Sequence, residues 1–267
     1  MRYPSGRSHI WAILADPVAH VRAPEFMNPL IEKAGRDAFL VPFHVRAEDL
    51  GATVPELLRI RNLRGFVVTM PHKAAMARLS AELGPNARLT GTANTVRIEE
   101  DGRLVGEMFD GVGLVEAAKA GGLPPAGRRV LLVGAGGAAR AIAFGIAAEG
   151  PASLAIANRT AEKARELAAA VAKHFPTVPV SAGPADATGK DLVVQATSLG
   201  LKPGEALPLD PATLTAGCGL FDIIAARDTE LMAAAAARGC KVIGGRPMIE
   251  HQALAQIEFL RPPRLPS

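Results

Sequence analysis

The sequence predicts an α/β protein of two domains, each organised on its own sheet. Residues 129–160 read as strand, glycine turn, helix and strand, and apolar segments at 191–195, 219–224 and 241–243 continue that sheet. The first 109 residues carry a strand–helix alternation of their own, which needs a second sheet. At 267 residues and 49% hydrophobic composition, the chain is long and apolar enough for two such cores.

Taken from the N-terminus, 9–14 is an apolar strand and 15–24 a loop. A helix begins at or just after Pro24 and stops near Gly35, since proline is tolerated in the first turn and glycine ends helices. A second strand covers 38–45, a helix 49–60 and a third strand 65–69, which runs through Met70-Pro71-His72-Lys73 into a helix over 74–83. Segments 94–99 and 103–109 flank Asp101-Gly102, a strong hairpin signal. Asp110 caps the next helix, 111–121, and the loop after it leads to strand 130–133. The alanine run 233–237 suits a helix. The last helix, 247–259, follows Gly244-Gly245 and is expected to cross back to the first domain.

The stretch that organises the chain is Gly134-Ala135-Gly136-Gly137-Ala138-Ala139-Arg140, placed between a buried strand and a helix of small residues. Gly134 allows a sharp turn off the strand, Gly136 lets a pyrophosphate approach the backbone, and Ala139 lets helix and strand pack closely. Amides at the helix start, including those near Gly137 and Ala138, then face the phosphates. This is the opening of a Rossmann, doubly wound dinucleotide-binding unit.

The end of the second strand selects the cofactor. An NAD site places Asp or Glu there. This chain has Asn158-Arg159-Thr160, with Lys163 four residues after Arg159 on the same helical face. A neutral residue beside basic ones suits a 2′-phosphate, which arginine grips through parallel donors, so NADP is the expected cofactor. Asn158 or Thr160 also stands where the cap of the following helix belongs.

Composition excludes several other classes. Net charge is +4 with the basic residues dispersed, so nucleic acid is not an expected partner. Cys218 and Cys240 lack metal spacing and a disulfide framework, and no metal is expected. The N-terminal apolar run is too short for a signal peptide. Segment 130–148 is apolar, but its glycines and Arg140 argue against a membrane span. A cytoplasmic protein without a membrane partner is expected, as a monomer or homodimer.

Across nearly its whole length the chain resembles the shikimate dehydrogenase family. The resemblance is carried by Asp16-Pro17-Val18-x-His20-x-x-x-Pro24, Val68-Thr69-Met70-Pro71-His72-Lys73, Gly91-Thr92-Ala93-Asn94-Thr95, Asp110-Gly111-x-Gly113 and the Gly134 loop. It continues through Asn158-Arg159-Thr160-x-x-Lys163-Ala164, Ala196-Thr197-Ser198-x-Gly200, Asp222 and Gly245-x-x-Met248-x-x-x-Gln252-Ala253. Its members reduce 3-dehydroshikimate with NADPH. The resemblance implies a substrate-binding domain over 1–109, with 247–267 packing back on it, and an NADP-binding domain over 110–246, facing each other across a cleft.

It implies catalysis by Lys73 and Asp110, with Lys73 holding the proton and Asp110 orienting it. It assigns substrate hydroxyls to Thr69, Asn94 and Gln252, and the nicotinamide end to Thr197, Ile223, Gly245 and Met248. His20, His44 and His72 are expected to be structural.

The departures from the family are concentrated at one end of the substrate. The family's Ser-x-Ser, whose hydroxyls bind a carboxylate, is Val21-Arg22-Ala23 here, so Val21 and Ala23 stand at substrate-binding positions without donors. Met108-Phe109 replaces Asn-Thr, and Ala225 replaces a tyrosine. Arg22 offers two donors that could serve instead. The expected activity is NADP-dependent hydride transfer to or from a small cyclic hydroxy acid such as shikimate, with a substrate preference open to change. The alternative is a non-catalytic NADP-binding or regulatory protein.

Overall fold

The computed structural model describes residues 3–19 and 21–261. The chain forms two compact units, Met1–Phe109 with Gln252–Ser267 and Asp110–His251. Each is an α/β unit on a six-stranded sheet.

The first unit is built on β1 (His9–Ala15), β2 (Ala38–His44), β3 (Leu63–Val68), β4 (Glu82–Leu83), β5 (Thr95–Ile98) and β6 (Leu104–Glu107). Their order is β2-β1-β3-β5-β6-β4. β1 pairs parallel with β2 and β3, whereas β5 runs antiparallel to both β3 and β6. The hairpin between β5 and β6 turns at Gly102, whose φ of 84° suits glycine.

Both faces of this sheet are covered. Leu14, Phe66, Val68, Met76 and Val96 form a core with α2 (Leu50–Leu57) and α3 (Lys73–Leu79). Trp11, Ile13, Val67, Met27 and Ile31 form another with α1 (Ala23–Lys33) and with Ala253, Ile257 and Leu260 of α9 (Arg246–Leu260). Strands buried on both faces explain the near-continuous apolar runs.

The helix expected over 74–83 ends at Leu79 instead. Ser80 turns extended, with ψ 128°, and its hydroxyl bonds back to the Met76 carbonyl at 2.8 Å. The chain then forms the short β4 and α4 (Pro85–Thr90), two elements without enough periodicity to announce themselves. Buried Glu107 closes this region by accepting the Ala87 amide at 2.8 Å and the Met108 amide at 2.7 Å.

The second unit comprises α5 (Asp110–Ala120), β7 (Arg129–Val133), α6 (Gly137–Ala148), β8 (Ser153–Ala157), α7 (Ala161–His174), β9 (Val180–Ala182), β10 (Leu192–Gln195), β11 (Gly219–Asp222), α8 (Glu230–Ala236) and β12 (Lys241–Ile243). Every strand pair in it is parallel, in the order β12-β11-β10-β7-β8-β9. That is the Rossmann order, with the order of strand addition reversing between β7 and β10.

α5 lies close against α6 because both carry glycine at the crossing. A Cβ on Gly111 would stand 2.4 Å from the Ala141 carbonyl oxygen. Cys218 and Cys240 are buried free thiols, and burial pushes the Cys218 thiol up to about 11, which leaves it an inert core group. Among the described residues, no helix is long and apolar enough to cross a membrane.

Candidate active site

In the second unit, the reversal point of the sheet is where the glycine turn lies. Gly134 leaves β7 with φ 128°, and a Cβ there would meet the Ala196 carbonyl oxygen at 2.6 Å. Glycine is required at this position on both counts. Gly136 and Gly137 are different: both are exposed, and a Cβ on either would meet nothing within 4 Å. Ala135 and Ala138 are half-buried between them. Gly136 is the N-cap of the twelve-residue α6. The open backbone in front of this helix start fits a pyrophosphate, which needs close approach and amide donors.

The next strand, β8, is followed directly by Asn158, whose side-chain amide donates to the Thr160 carbonyl at 2.9 Å. Thr160 occupies the N-cap of α7 but makes no side-chain capping bond, so neither residue caps by its side chain. Arg159 and Lys163 are exposed, and among the described residues neither is in an ion pair. Two cations beside a helix start fit the extra phosphate of NADP.

The carboxyl ends of β10, β11 and β12 bring together the other expected nucleotide contacts. Thr197 follows β10, where the buried Gln195 accepts its amide at 2.5 Å and donates to the Leu199 carbonyl at 2.9 Å. Ile223 and Gly245 touch so closely that a Cβ on Gly245 would lie 2.2 Å from the Ile223 carbonyl oxygen. Buried Met248 lies in the first turn of α9. Asp222, fully buried at the end of β11, accepts from the Ile224 amide at 3.0 Å and the Thr229 hydroxyl at 2.7 Å. Burial pushes its carboxyl above the usual range. A recess of about 300 Å³ opens beside these residues, lined by Ile224, Ala225, Arg227, Arg246 and the Gly244-Gly245 backbone. Ala225 thus borders open space where the family has a tyrosine.

Asp110 begins α5 and is buried, 3% exposed. A carboxylate so placed has a structural reason to be a first-turn residue and no apolar reason to be buried.

In the first unit, Thr69, Lys73 and Asn94 gather at one end of the sheet. Thr69 follows β3 and its amide bonds the Leu14 carbonyl at 3.1 Å. The Val68 amide donates to the Asn94 carbonyl at 2.7 Å, and the Ala93 amide to the Lys73 carbonyl at 3.0 Å. Lys73 is the first residue of α3 and half-buried. Gln252, half-buried on α9, belongs to the same unit.

The histidines have structural partners. His72 is buried against the Val45 carbonyl at 2.8 Å, and His44 lies 3.0 Å from Asp16. That bond holds the Asp16 carboxyl below its usual range. His20 lies outside the described residues.

The serine-free loop has a clear geometry. Val21 and Ala23 are half-buried and pack against the Trp11 core. Arg22 is turned to solvent, where Glu25 holds it at 2.7 Å and its guanidinium lies 5.7 Å from the Phe26 ring. The loop therefore presents apolar side chains, and its one cation is already paired.

Comparison with known proteins follows these features along the chain. Residues 13–96 match the model of the shikimate dehydrogenase substrate binding domain, and 117–202 that of shikimate / quinate 5-dehydrogenase. A shikimate dehydrogenase (NADP(+)) of Rubrobacter xylanophilus is 36% identical over 252 residues, covering 92% of this chain and 88% of the relative. The solved structure of shikimate 5-dehydrogenase from Thermus thermophilus, in complex with NADP(H) and shikimate, is 31% identical with a TM-score of 0.85, covering 95% of this chain and 93% of that one. The ligand-free 5-ketofructose reductase of a Gluconobacter species is also 31% identical, with a TM-score of 0.88 and coverage of 98% and 96%. With a relative this similar over nine-tenths of its length, and both family models matched in order, the chain belongs to the shikimate dehydrogenase family.

Proposed function

We propose that this chain is an NADP-dependent shikimate dehydrogenase, interconverting shikimate and 3-dehydroshikimate in the supply of aromatic amino acids. The observation that carries this reading is the coexistence, in one chain similar along its length to such enzymes, of an open glycine turn, exposed Arg159 and Lys163, and Lys73 at the same end of the sheet as Asn94. The unit of Met1–Phe109 with Gln252–Ser267 holds the substrate, and that of Asp110–His251 holds NADP. The enzyme is cytoplasmic, works as a monomer or homodimer, and needs neither nucleic acid nor a membrane.

Bound NADPH supplies the hydride. The chain's own part is to orient the ketone and handle one proton. Thr69, Asn94 and Gln252 hold the substrate hydroxyls, while Val21 and Ala23 give it apolar contact. The Lys73 ammonium donates its proton to the carbonyl oxygen as that oxygen becomes an alcohol, and Asp110 is the second catalytic residue. In the reverse direction neutral Lys73 takes the proton back. Acid–base assistance of this kind contributes about 10²–10⁴ in rate. Gly134, Ala135, Gly136, Gly137 and Ala138 receive the pyrophosphate. Asn158, Arg159, Thr160 and Lys163 hold the adenosine phosphate, and Thr197, Ile223, Gly245 and Met248 the nicotinamide.

One observation favours a second reading of the substrate. Val21 and Ala23 carry no donor, and Arg22 is paired with Glu25, so an uncharged ketone, as in the 5-ketofructose reductase neighbour, loses nothing at this loop where a carboxylate does. Steady-state NADPH oxidation with 3-dehydroshikimate and with 5-ketofructose decides between the two. Greater kcat/KM on 3-dehydroshikimate, lost in Lys73→Ala, is the expected result. Greater efficiency on the keto sugar selects the second reading, and inactivity of the wild type across both overturns the family's chemistry for this chain.

A further inference from the structure

Beside Asn94 lies a chain of buried polar side chains that the proposed mechanism has not used. Gln256 of α9 donates through Nε2 to the Thr95 hydroxyl oxygen at 2.8 Å. Thr95 in turn donates to Asn94 Oδ1 at 3.1 Å. The same Oδ1 accepts the Phe109 backbone amide at 3.1 Å. Gln256, Thr95 and Asn94 are 2%, 0% and 1% exposed, so water does not substitute for any of these bonds.

The polarity of the chain follows from valence. A backbone amide can only donate, so the Asn94 atom facing Phe109 N is the carbonyl oxygen. Thr95 has one proton. Because Gln256 already donates to its oxygen, that proton is directed to Asn94. Both lone pairs of Asn94 Oδ1 are then filled, and the two donors of its NH₂ group are turned away from Thr95 and Phe109. Asn94 becomes a dedicated donor, matched to a hydroxyl or carbonyl oxygen.

We propose that Gln256 and Thr95 are positioning residues for the reaction: together they lock the Asn94 amide in the orientation that donates to the substrate. This rests on the reading of Asn94 as a substrate-hydroxyl contact. Gln256 lies one helical turn beyond Gln252, so α9 would serve the substrate twice, once by contact and once through Thr95. Neither residue touches the substrate in this scheme. Their loss therefore acts on substrate affinity and leaves the nucleotide alone.

The test is a set of variants of the full-length enzyme: Thr95→Val, Thr95→Ser, Gln256→Leu and the Thr95→Val/Gln256→Leu pair. Thr95→Val keeps the side-chain shape and removes the donor. It is expected to raise KM for shikimate about tenfold, the loss of roughly one hydrogen bond, with kcat and the KM for NADP unchanged. Thr95→Ser restores the hydroxyl and is expected to return KM to near the wild-type value. Gln256→Leu is expected to shift KM in the same direction, and the pair to be no worse than Thr95→Val alone, because both break one chain. A lowered melting temperature with unchanged KM, additive effects in the pair, or failure of serine to rescue would overturn the positioning role while leaving the enzyme assignment intact. Inactivity of the wild-type enzyme on shikimate and on the keto sugar overturns the assignment and this role with it.

Discussion

The guanidinium of Arg22 is held by Glu25 through two donors, Nε at 3.0 Å and Nη2 at 2.7 Å from the same carboxylate oxygen. The pair is solvent-exposed on the first turn of α1, which places the loop's cation outside any role as a carboxylate clamp.

Removing this pair should therefore cost little, since solvent screens an exposed ion pair. Arg22→Ala is expected to leave KM for shikimate unchanged. Val21→Ser/Ala23→Ser should do the opposite: two new bonds to a carboxylate, at roughly 1.5–3 kcal/mol each, would raise kcat/KM on shikimate by as much as about 10²–10⁴. Steady-state kinetics on both variants check the pair of outcomes. An increase with Arg22→Ala, or none with the double serine variant, contradicts it.

Lys73→Ala and Asp110→Asn should each lower kcat by about 10²–10⁴ at constant affinity for NADPH. Fluorescence titration of the nucleotide separates this from a folding defect.

The glycine turn makes two separable predictions. Gly134→Ala places a side chain at φ 128° and against the Ala196 carbonyl, so a loss of at least about 1–3 kcal/mol in stability is expected. Gly136→Ala meets open space and should melt like the wild type, yet bind NADP more weakly because its methyl group occupies the approach to the pyrophosphate. Thermal melts paired with titration calorimetry read both.

Arg159→Ala should weaken NADP by about tenfold or more and leave NAD almost unchanged, because only NADP carries the phosphate that a charge-assisted bond would hold. Equal loss for the two coenzymes would place that phosphate elsewhere.

Glu107 links pH to stability. Burial raises its carboxyl above the ordinary glutamate value of 4.5, despite the amides of Met108 and Ala87. The folded state thus holds this proton more tightly than the unfolded chain. The stabilising contribution is complete below 4.5 and is lost as pH rises through the raised folded value. Glu107→Gln keeps the acceptor for both amides and removes the ionisation. It should melt higher than the wild type at neutral pH, and the difference should shrink toward pH 4.5. A difference that grows on acidification would contradict this.

Much of the molecule was legible in the residues alone. Period and punctuation located β1, β3, the β5–β6 hairpin and the whole β7–α6–β8 unit, because each is a local pattern with its own start and stop signals. Asn158, Arg159 and Lys163 could be read as a phosphate site for the same reason: they follow directly on a strand end. The short elements β4, α4 and β9 were not legible, since two to six residues carry too little periodicity and are held by partners far away, as Glu107 holds Ala87.

What the amino-acid order determined by itself was the fold class, the glycine turn and the absence of hydroxyls at residues 21 and 23. What only the tertiary structure decided was which way flexible side chains turn: Arg22 outward to Glu25, and Gln256 inward to Thr95, 161 residues away along the chain. The physical reason is that backbone conformation follows from short-range sterics and hydrophobic period, whereas the partner of a long polar side chain is set by what burial brings beside it.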